Sequence, residues 1–226
     1  MDKKDLQKNI KEFFTTFAKQ NGFVFHKPTL MIRMHKDTLH IVNFDVPSKG
    51  FNCNIAIQPL YIPSDTVTLS FGNRLNHFKT KLSGKWGYGN DKQEVEKDLS
   101  QVKELLEVNA LKWFEETGCP EGIIKFIESG LCEDINLIVG FPPVFRSMYL
   151  GFSYLYISKP ELAIKPLQEV IEKYKDDNRD WVIKQNDMIN SIITLTENAP
   201  HNIRQRISEI IIQTKDKLKL KNITYH

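Results

Sequence analysis

The chain has 226 residues, and its 41% hydrophobic and 26% charged residues match the composition of ordinary globular proteins, which excludes a disordered chain. The first residues, MDKKDLQKN, are polar and charged and do not predict a signal peptide. The most apolar stretch, residues 135–145, is interrupted by Gly and Pro and is far shorter than the roughly 20 residues that cross a bilayer. We therefore expect a soluble, cytoplasmic protein with no membrane partner.

The net charge of +3 is distributed unevenly along the chain. Residues 1–92 carry 14 Lys and Arg against 7 Asp and Glu, a net charge of +7, whereas residues 93–200 carry 11 against 19, a net charge of −8. Residues 201–226 are again basic, at +4. This pattern predicts local electric fields that can steer a charged partner. The small overall charge disfavours nucleic acid as that partner.

The first third of the chain predicts one helix followed by strands. The helix covers residues 5–21, because apolar side chains recur at helical spacing at Leu6, Ile10, Phe13, Phe14 and Phe17. Strands follow, separated by turn residues, at 23–26, 29–35, 38–45, 51–61 and 66–71. Consecutive strands with short connections predict an antiparallel sheet of about four to five strands, with the first helix packed on one face.

From about Gln93 onward the apolar spacing is helical. The predicted helices lie at 93–117, 122–129, 143–157, 159–175, 180–197 and 201–219. The motif Ser158-Lys-Pro-Glu161 predicts a capping box at the start of the fourth of these helices. The fold class is therefore α+β, with a sheet domain over residues 1–92 and an all-helical region over residues 93–226. No flexible linker separates the two parts, so they can share one core.

The region from about His40 to Tyr88 contains the segments LHIVNFDVPSKGFNCNIAIQPLYIPSD, LSFGNRL and KWGYG. This pattern resembles the bacterial family known as domain of unknown function 4304, in which a short helix precedes an antiparallel sheet and a Gly-Arg-Leu element is followed by a Trp. The resemblance covers residues 5–110 and implies no established activity. Other small bacterial α+β families of this kind act as immunity proteins beside toxin systems, so the resemblance implies a binding role by analogy.

A second resemblance, to one tetratricopeptide unit, lies in FRSMYLGFSYLYISKPELAIKPLQEVIEKY. Two of its small residues, Gly151 and Ala163, would let the two helices approach closely. Pro166 departs from the repeat pattern and is expected to kink the second helix. Stable solenoids need about three units and only one is legible here. The segment is therefore either a protein-binding hairpin or an ordinary pair of helices.

The Gly-rich, basic segment 73–88 is the main candidate binding site. Its donors, cations and aromatic rings are Asn73, Arg74, His77, Lys79, Lys81, Lys85, Trp86 and Tyr88. Such a set suits an acidic surface of another protein, because Trp, Tyr and Arg are favoured at binding hot spots. It also suits single-stranded nucleic acid, through stacking and phosphate contacts. In a third interpretation, Arg74 and Trp86 brace the loop against the sheet.

The titratable side chains predict no metal, no cofactor and no catalytic motif. His35 and His40 can approach each other on the predicted hairpin, but we expect surface histidines there because no HxH or HExxH spacing is present. The three cysteines, Cys53, Cys119 and Cys132, lack a CxxC spacing and predict reduced thiols.

Together these features predict a non-catalytic protein-binding module, immunity-like or an adaptor, with another protein as its partner. A hydrolase without a readable motif and a nucleic-acid binder remain as alternatives. The enzyme would need a concave pocket that holds His or carboxylate groups with shifted pKa values.

Overall fold

The computed structural model describes residues 2–78, 86–87, 92–134 and 142–220. An N-terminal helix precedes a five-stranded antiparallel sheet, and a helical C-terminal half follows. This order confirms the predicted fold class. The bounds in the first half are α1 Lys3–Gln20, β1 Val24–Lys27, β2 Leu30–His35, β3 Thr38–Asp45, β4 Asn52–Pro59 and β5 Gly72–Arg74.

The strands lie in the sheet in chain order, and every neighbouring pair is antiparallel. The β2–β3 hairpin turns at Lys36 and Asp37, whose φ angles of 44° and 54° are those of a left-handed turn that matches the twist of the strands. Across this hairpin Arg33 pairs with His40, so their side chains lie on the same face of the sheet.

The prediction of a strand at 66–71 was wrong in its position, because β5 begins at Gly72. The Gln58 side chain donates to the carbonyl oxygen of Thr66 at 3.0 Å and accepts from the amide of Thr68 at 2.9 Å. These bonds occupy backbone groups that a strand would use in its ladder. A Cβ at position 72 would lie 2.3 Å from the Ile55 carbonyl oxygen, so the close pairing begins at a glycine.

The helical half follows the predicted elements closely. The 93–117 helix contains one π-helical turn at Leu106–Ala110, which divides it into α2 and α3. The predicted capping box is wrong, because Ser158 has a φ of 61° and Lys159 stands at the N-cap with no side-chain hydrogen bond. The bounds are α2 Lys92–Leu105, α3 Leu111–Thr117, α4 Pro120–Glu128, α5 Pro143–Tyr156, α6 Pro160–Lys173, α7 Asp180–Asn198 and α8 Ile203–Lys217.

Helices cover both faces of the sheet. On one face, Phe14 of α1 packs on Phe44 with ring centroids 4.9 Å apart, and Phe114 of α3 stacks on His40 at 4.8 Å. On the opposite face, Leu30 of β2 lines a cleft together with the C-terminal end of α8. Most of the buried apolar residues of the sheet and the helices form one continuous cluster. Within the described residues, no helix is long and apolar enough to cross a membrane.

Candidate functional site

The structure describes only part of the predicted binding segment 73–88. Arg74, in β5, is exposed, whereas Asn73 is buried with 5% of its surface exposed. The backbone of His77 lies in a 3-10 turn at Leu75–Phe78, and its side chain lies outside the description. Outside the described residues lie Lys79, Lys81, Lys85 and Tyr88.

Trp86 anchors the end of this segment to the sheet. Its indole is 4% exposed and stacks on Phe51 with ring centroids 6.0 Å apart. The backbones of the two residues exchange hydrogen bonds of 2.7 and 3.1 Å, and the Gly87 amide donates to the Asp98 carboxylate at 2.6 Å. Trp86 is thus packed against the sheet, while Arg74 is exposed. The binding role of the segment remains a prediction.

The tetratricopeptide-like helices α5 and α6 pack closely, as predicted from their small residues. A Cβ at Gly151 would lie 2.6 Å from Cγ of Leu167 and 3.2 Å from the carbonyl oxygen of Ala163. No side chain other than hydrogen fits between the two helices at this point without a shift of Leu167. Pro166 lies inside α6, which is helical from Pro160 to Lys173.

An exposed group of aromatic and charged side chains lies where α6 leads into α7, and the sequence analysis missed it. The indole of Trp181 is 47% exposed. The guanidinium carbon of Arg179 lies 4.7 Å above its ring, and the ring of Tyr174 meets it edge-on at 6.1 Å. The Asp177 carboxylate accepts hydrogen bonds of 2.5 to 3.1 Å from Arg179. We call these four residues the aromatic–arginine cluster.

The cluster is preorganised for contact with another surface. The Asp177 carboxylate orients Arg179 and, mainly through their hydrogen bonds, raises the pKa of its guanidinium. Because Arg179 is held over the indole, little side-chain freedom remains to be lost when a partner binds. The only hint in the sequence was a Tyr, an Arg and a Trp within eight residues, across the junction of two predicted helices.

A pocket lined by charged and histidine side chains lies on the face of the sheet that α3 covers. Its volume is about 380 Å³, and Arg33, His35, His40 and Glu115 line it. The expectation of surface histidines was wrong for His40, which is 1% exposed. The expected proximity of the two histidines is confirmed, since the His35 and His40 rings lie 6.0 Å apart.

The His40 imidazole is held neutral by its surroundings. Its Nδ1 accepts a hydrogen bond of 2.9 Å from Nε of Arg33, so its Nε2 carries the proton and donates to the Gly118 carbonyl oxygen at 2.8 Å. Burial, together with the Arg33 cation, lowers the pKa of His40 to about 3. Because both ring nitrogens are engaged, the imidazole is not free to take a proton from a substrate.

Arg33 completes this buried network. Its guanidinium carbon lies 4.9 Å from the Phe23 ring centroid and 5.8 Å from that of Phe114. It also donates to the carbonyl oxygen of Asn21 at 3.2 Å. The pocket therefore meets one expectation of the enzyme hypothesis, a shifted pKa. The N–H groups of Arg33 and His40 nevertheless form their hydrogen bonds within the protein. These bonds connect the sheet to the ends of α1 and α3.

The cysteines are free thiols, as predicted. Burial raises the pKa of the Cys53 thiol, which favours its unreactive protonated form. Cys119 has a local structural role, since its sulfur accepts from the Gly122 amide at 3.4 Å at the start of α4. Among the residues that the structure describes, no three His, Cys, Asp or Glu side chains are placed to hold a metal ion.

Comparison with known proteins finds no matching family model, no matching curated protein and no matching solved structure.

Proposed function

We propose that this chain is a non-catalytic protein-binding module, an adaptor or an immunity-like protein, and that its partner docks on the aromatic–arginine cluster. The observation that carries this proposal is the large exposed fraction of Trp181, whose ring is held in place by Arg179. Tryptophan, tyrosine and arginine are the residue types that are enriched at binding hot spots. The partner is expected to present an apolar pocket that accepts the indole.

The basic segment 73–88 is a second candidate contact surface. Its charge contributes to the net +7 of residues 1–92, and Arg74 is accessible. A partner that binds there would present acidic side chains, because complementary charges steer association. The aromatic–arginine cluster, in which Asp177 already pairs with Arg179, would instead select an apolar surface. The two surfaces can therefore be distinguished by substitution.

The test is a tagged pull-down of the full chain from its native host, with and without nuclease, read by mass spectrometry. We expect one protein near equal stoichiometry, recovered equally with nuclease. With that partner purified, Trp181→Ala should weaken binding by at least about 30-fold, since hot-spot truncations cost about 2 kcal/mol or more. The matched control is Val108→Ala, which truncates an apolar side chain that is 62% exposed in the π-helical turn.

Different outcomes separate the two surfaces and the alternative functions. Unchanged affinity in Trp181→Ala, with loss in the double variant Arg74→Glu and Lys85→Glu, would move the interface to the segment 73–88. A mixture of nucleic-acid-binding proteins that disappears with nuclease, and an affinity that falls steeply with salt, would instead support a nucleic-acid binder. Either result contradicts docking on the aromatic–arginine cluster.

A further inference from the structure

A cleft of about 470 Å³ opens on the face of the sheet opposite to His40. The β1–β2 turn, the loop at 65–69 and the C-terminal end of α8 enclose it. Its volume lies within the range of sites that hold small molecules, roughly 300 to 1,000 Å³. Its apolar lining consists of Leu30, Val67, Leu69 and Leu218, and its basic lining of His26, Lys27, Lys217 and Lys219.

Two of the three lysines that line this cleft are not neutralised by an acidic side chain of the described residues. Lys217 pairs with Asp65 at 2.6 Å. Lys27 and Lys219 are both exposed, and neither forms an ion pair with another residue in the described part of the chain. Burial, and next the Lys27 cation, lower the pKa of His26. The cleft therefore has an unmatched attraction for an anion.

The backbone at Lys219 gives independent support. Its amide donates to the Asp216 carbonyl oxygen at 3.1 Å, and the Leu220 amide donates to that of Lys215 at 2.9 Å. This is the Schellman end of a helix, and its left-handed position is usually a glycine. Lys219 adopts it with a φ of 58°. A residue with a side chain is strained in this conformation, and glycine would adopt it more easily. The chain nevertheless has a lysine here, which places a cation at the cleft.

We propose that this cleft binds a small organic anion, in which a carboxylate or phosphate group is joined to an apolar body. The anionic group is bound by Lys27 and Lys219, with hydrogen bonds from the nearby Thr29 and Asn43 side chains. The apolar body packs on the leucine and valine side chains of the lining. This ligand site is separate from the protein-binding surface and does not depend on it.

The experiment uses the His26 imidazole as a local reporter in NMR titrations of the full chain. Octanoate and octyl phosphate should each produce a saturable shift of the His26 resonance at one-to-one stoichiometry. They should also raise the pKa of His26, because a bound anion stabilises the imidazolium. The exposed His201, in the turn before α8, is the internal control and should not shift with either ligand.

Substitutions then test the two lysines. The double variant Lys27→Gln and Lys219→Gly should bind octanoate at least about tenfold more weakly, because hydrogen bonds to charged groups are the stronger ones. The control Lys165→Gln removes an exposed lysine of α6 and should leave binding unchanged. Lys219→Gly alone should unfold at the same or a higher temperature, so weakened binding in that variant would not come from misfolding.

Three results would overturn the proposal. Wild-type affinity in the double variant would exclude the lysines as the anion ligands. Equal binding of octyltrimethylammonium would show that the cleft selects an apolar chain alone. Equal affinity for inorganic phosphate and octyl phosphate would show that the apolar lining contributes nothing.

Discussion

Two arginines of the described residues, Arg33 and Arg179, lie against aromatic rings, and they differ in where their remaining contacts lie. Arg33 sits near the Phe23 and Phe114 rings and bonds to His40, so its guanidinium contacts the interior of the fold. Arg179 lies over the Trp181 ring and bonds to Asp177 two residues away, so its contacts are local and exposed. An arginine beside an aromatic ring therefore stabilises the fold around Arg33, whereas around Arg179 the same combination is exposed to solvent.

This difference shows that the chemical identity of a cluster does not determine its role. In the buried network, removal of any member leaves a polar atom without a partner, which is costly away from water. In the exposed cluster, water can replace a lost partner, so the structural cost is small. We therefore expect large effects on stability from the network around His40 and large effects on binding from the cluster around Trp181.

The largest loss of stability is expected for Gly118→Ala. A Cβ at this position would lie 2.1 Å from Nε2 of His40 and 2.3 Å from the Phe114 carbonyl oxygen, so the ring or α3 must move. We expect the free energy of unfolding to fall by about 3 kcal/mol or more, as for severe overpacking. The measurement is urea unfolding followed by circular dichroism.

Gly130→Ala is the matched control for this substitution. Gly130 has a φ of 75°, and a Cβ there meets no atom within 4 Å. Only backbone strain remains, which costs roughly 1 to 2 kcal/mol. Equal losses in the two variants would contradict the tight packing of α3 on the buried network.

The next effect is the dependence of stability on pH. The pKa of His40 is about 3 in the folded chain, against 6.5 as its ordinary value. Between these two pH values the His40 side chain is protonated in the unfolded chain and neutral in the folded chain. The part of the folding stability that depends on neutral His40 is therefore fully present above pH 6.5 and is lost as the pH falls toward 3. The slope due to His40 reaches about 1.4 kcal/mol per pH unit.

The control for this pH dependence is His40→Asn. This variant should be less stable than the wild type at neutral pH, because Arg33 and Gly118 lose their partner. Its stability should nevertheless decline less steeply between pH 6.5 and 3. Unfolding in urea at a series of pH values measures both slopes, and parallel slopes would show that His40 is not the titrating group.

An intermediate effect is expected at Asp37, which joins the sheet to the helical half. Its carboxylate accepts from Lys215 of α8 at 2.6 Å and from the Tyr156 hydroxyl of α5 at 3.2 Å. The side chains of the ion pair are only 19% and 20% exposed. Asp37→Ala should therefore lower the free energy of unfolding by about 1 to 3 kcal/mol, since two partly buried partners lose their acceptor.

The control at this position is Glu12→Gln, which removes the Lys8–Glu12 pair on α1. Both of its side chains are at least 60% exposed. Such helical surface pairs contribute about 0.5 kcal/mol or less. Thermal unfolding of both variants measures the difference, and an Asp37→Ala effect no larger than this control would show that the hairpin turn does not help to hold α5 and α8.

The smallest effect on stability is expected for Trp181→Ala. Half of the indole is in water, and its neighbours Tyr174 and Arg179 can be solvated when it is removed. We expect a change of less than about 1 kcal/mol in the free energy of unfolding, although binding of the proposed partner should weaken. A loss as large as that of Gly118→Ala would show that the cluster stabilises α6 and α7, and would remove the contrast between the two regions.

Most of the secondary structure could be predicted from the sequence because burial repeats along each element. The predicted helix at 180–197 and the observed α7 differ by one residue at the C-terminal end. The fifth strand was misplaced because the side chain of Gln58, a residue of another strand, bonds to the backbone at Thr66 and Thr68. A sequence pattern does not show which backbone groups a distant side chain will occupy.

The candidate sites were harder to predict than the fold. Trp86 was predicted as a binding residue and Trp181 was not, although each lies within two residues of a basic side chain. The structure places the first at 4% and the second at 47% exposure. The difference arises from Phe51, which stacks on Trp86 from a position 35 residues earlier in the chain.

The sequence by itself determined the order of helices and strands and the close helix pair at Gly151, because each follows from periodic burial or from residues near in the chain. Only the tertiary structure decided that His40 is buried and neutral. That outcome requires Gly118 and Phe114 of a later helix to meet the third strand. Local periodicity predicts which side of a helix or strand is buried. Which residues cover that side, and how they shift the pKa of a side chain such as His40, depends on contacts that form only when the chain folds.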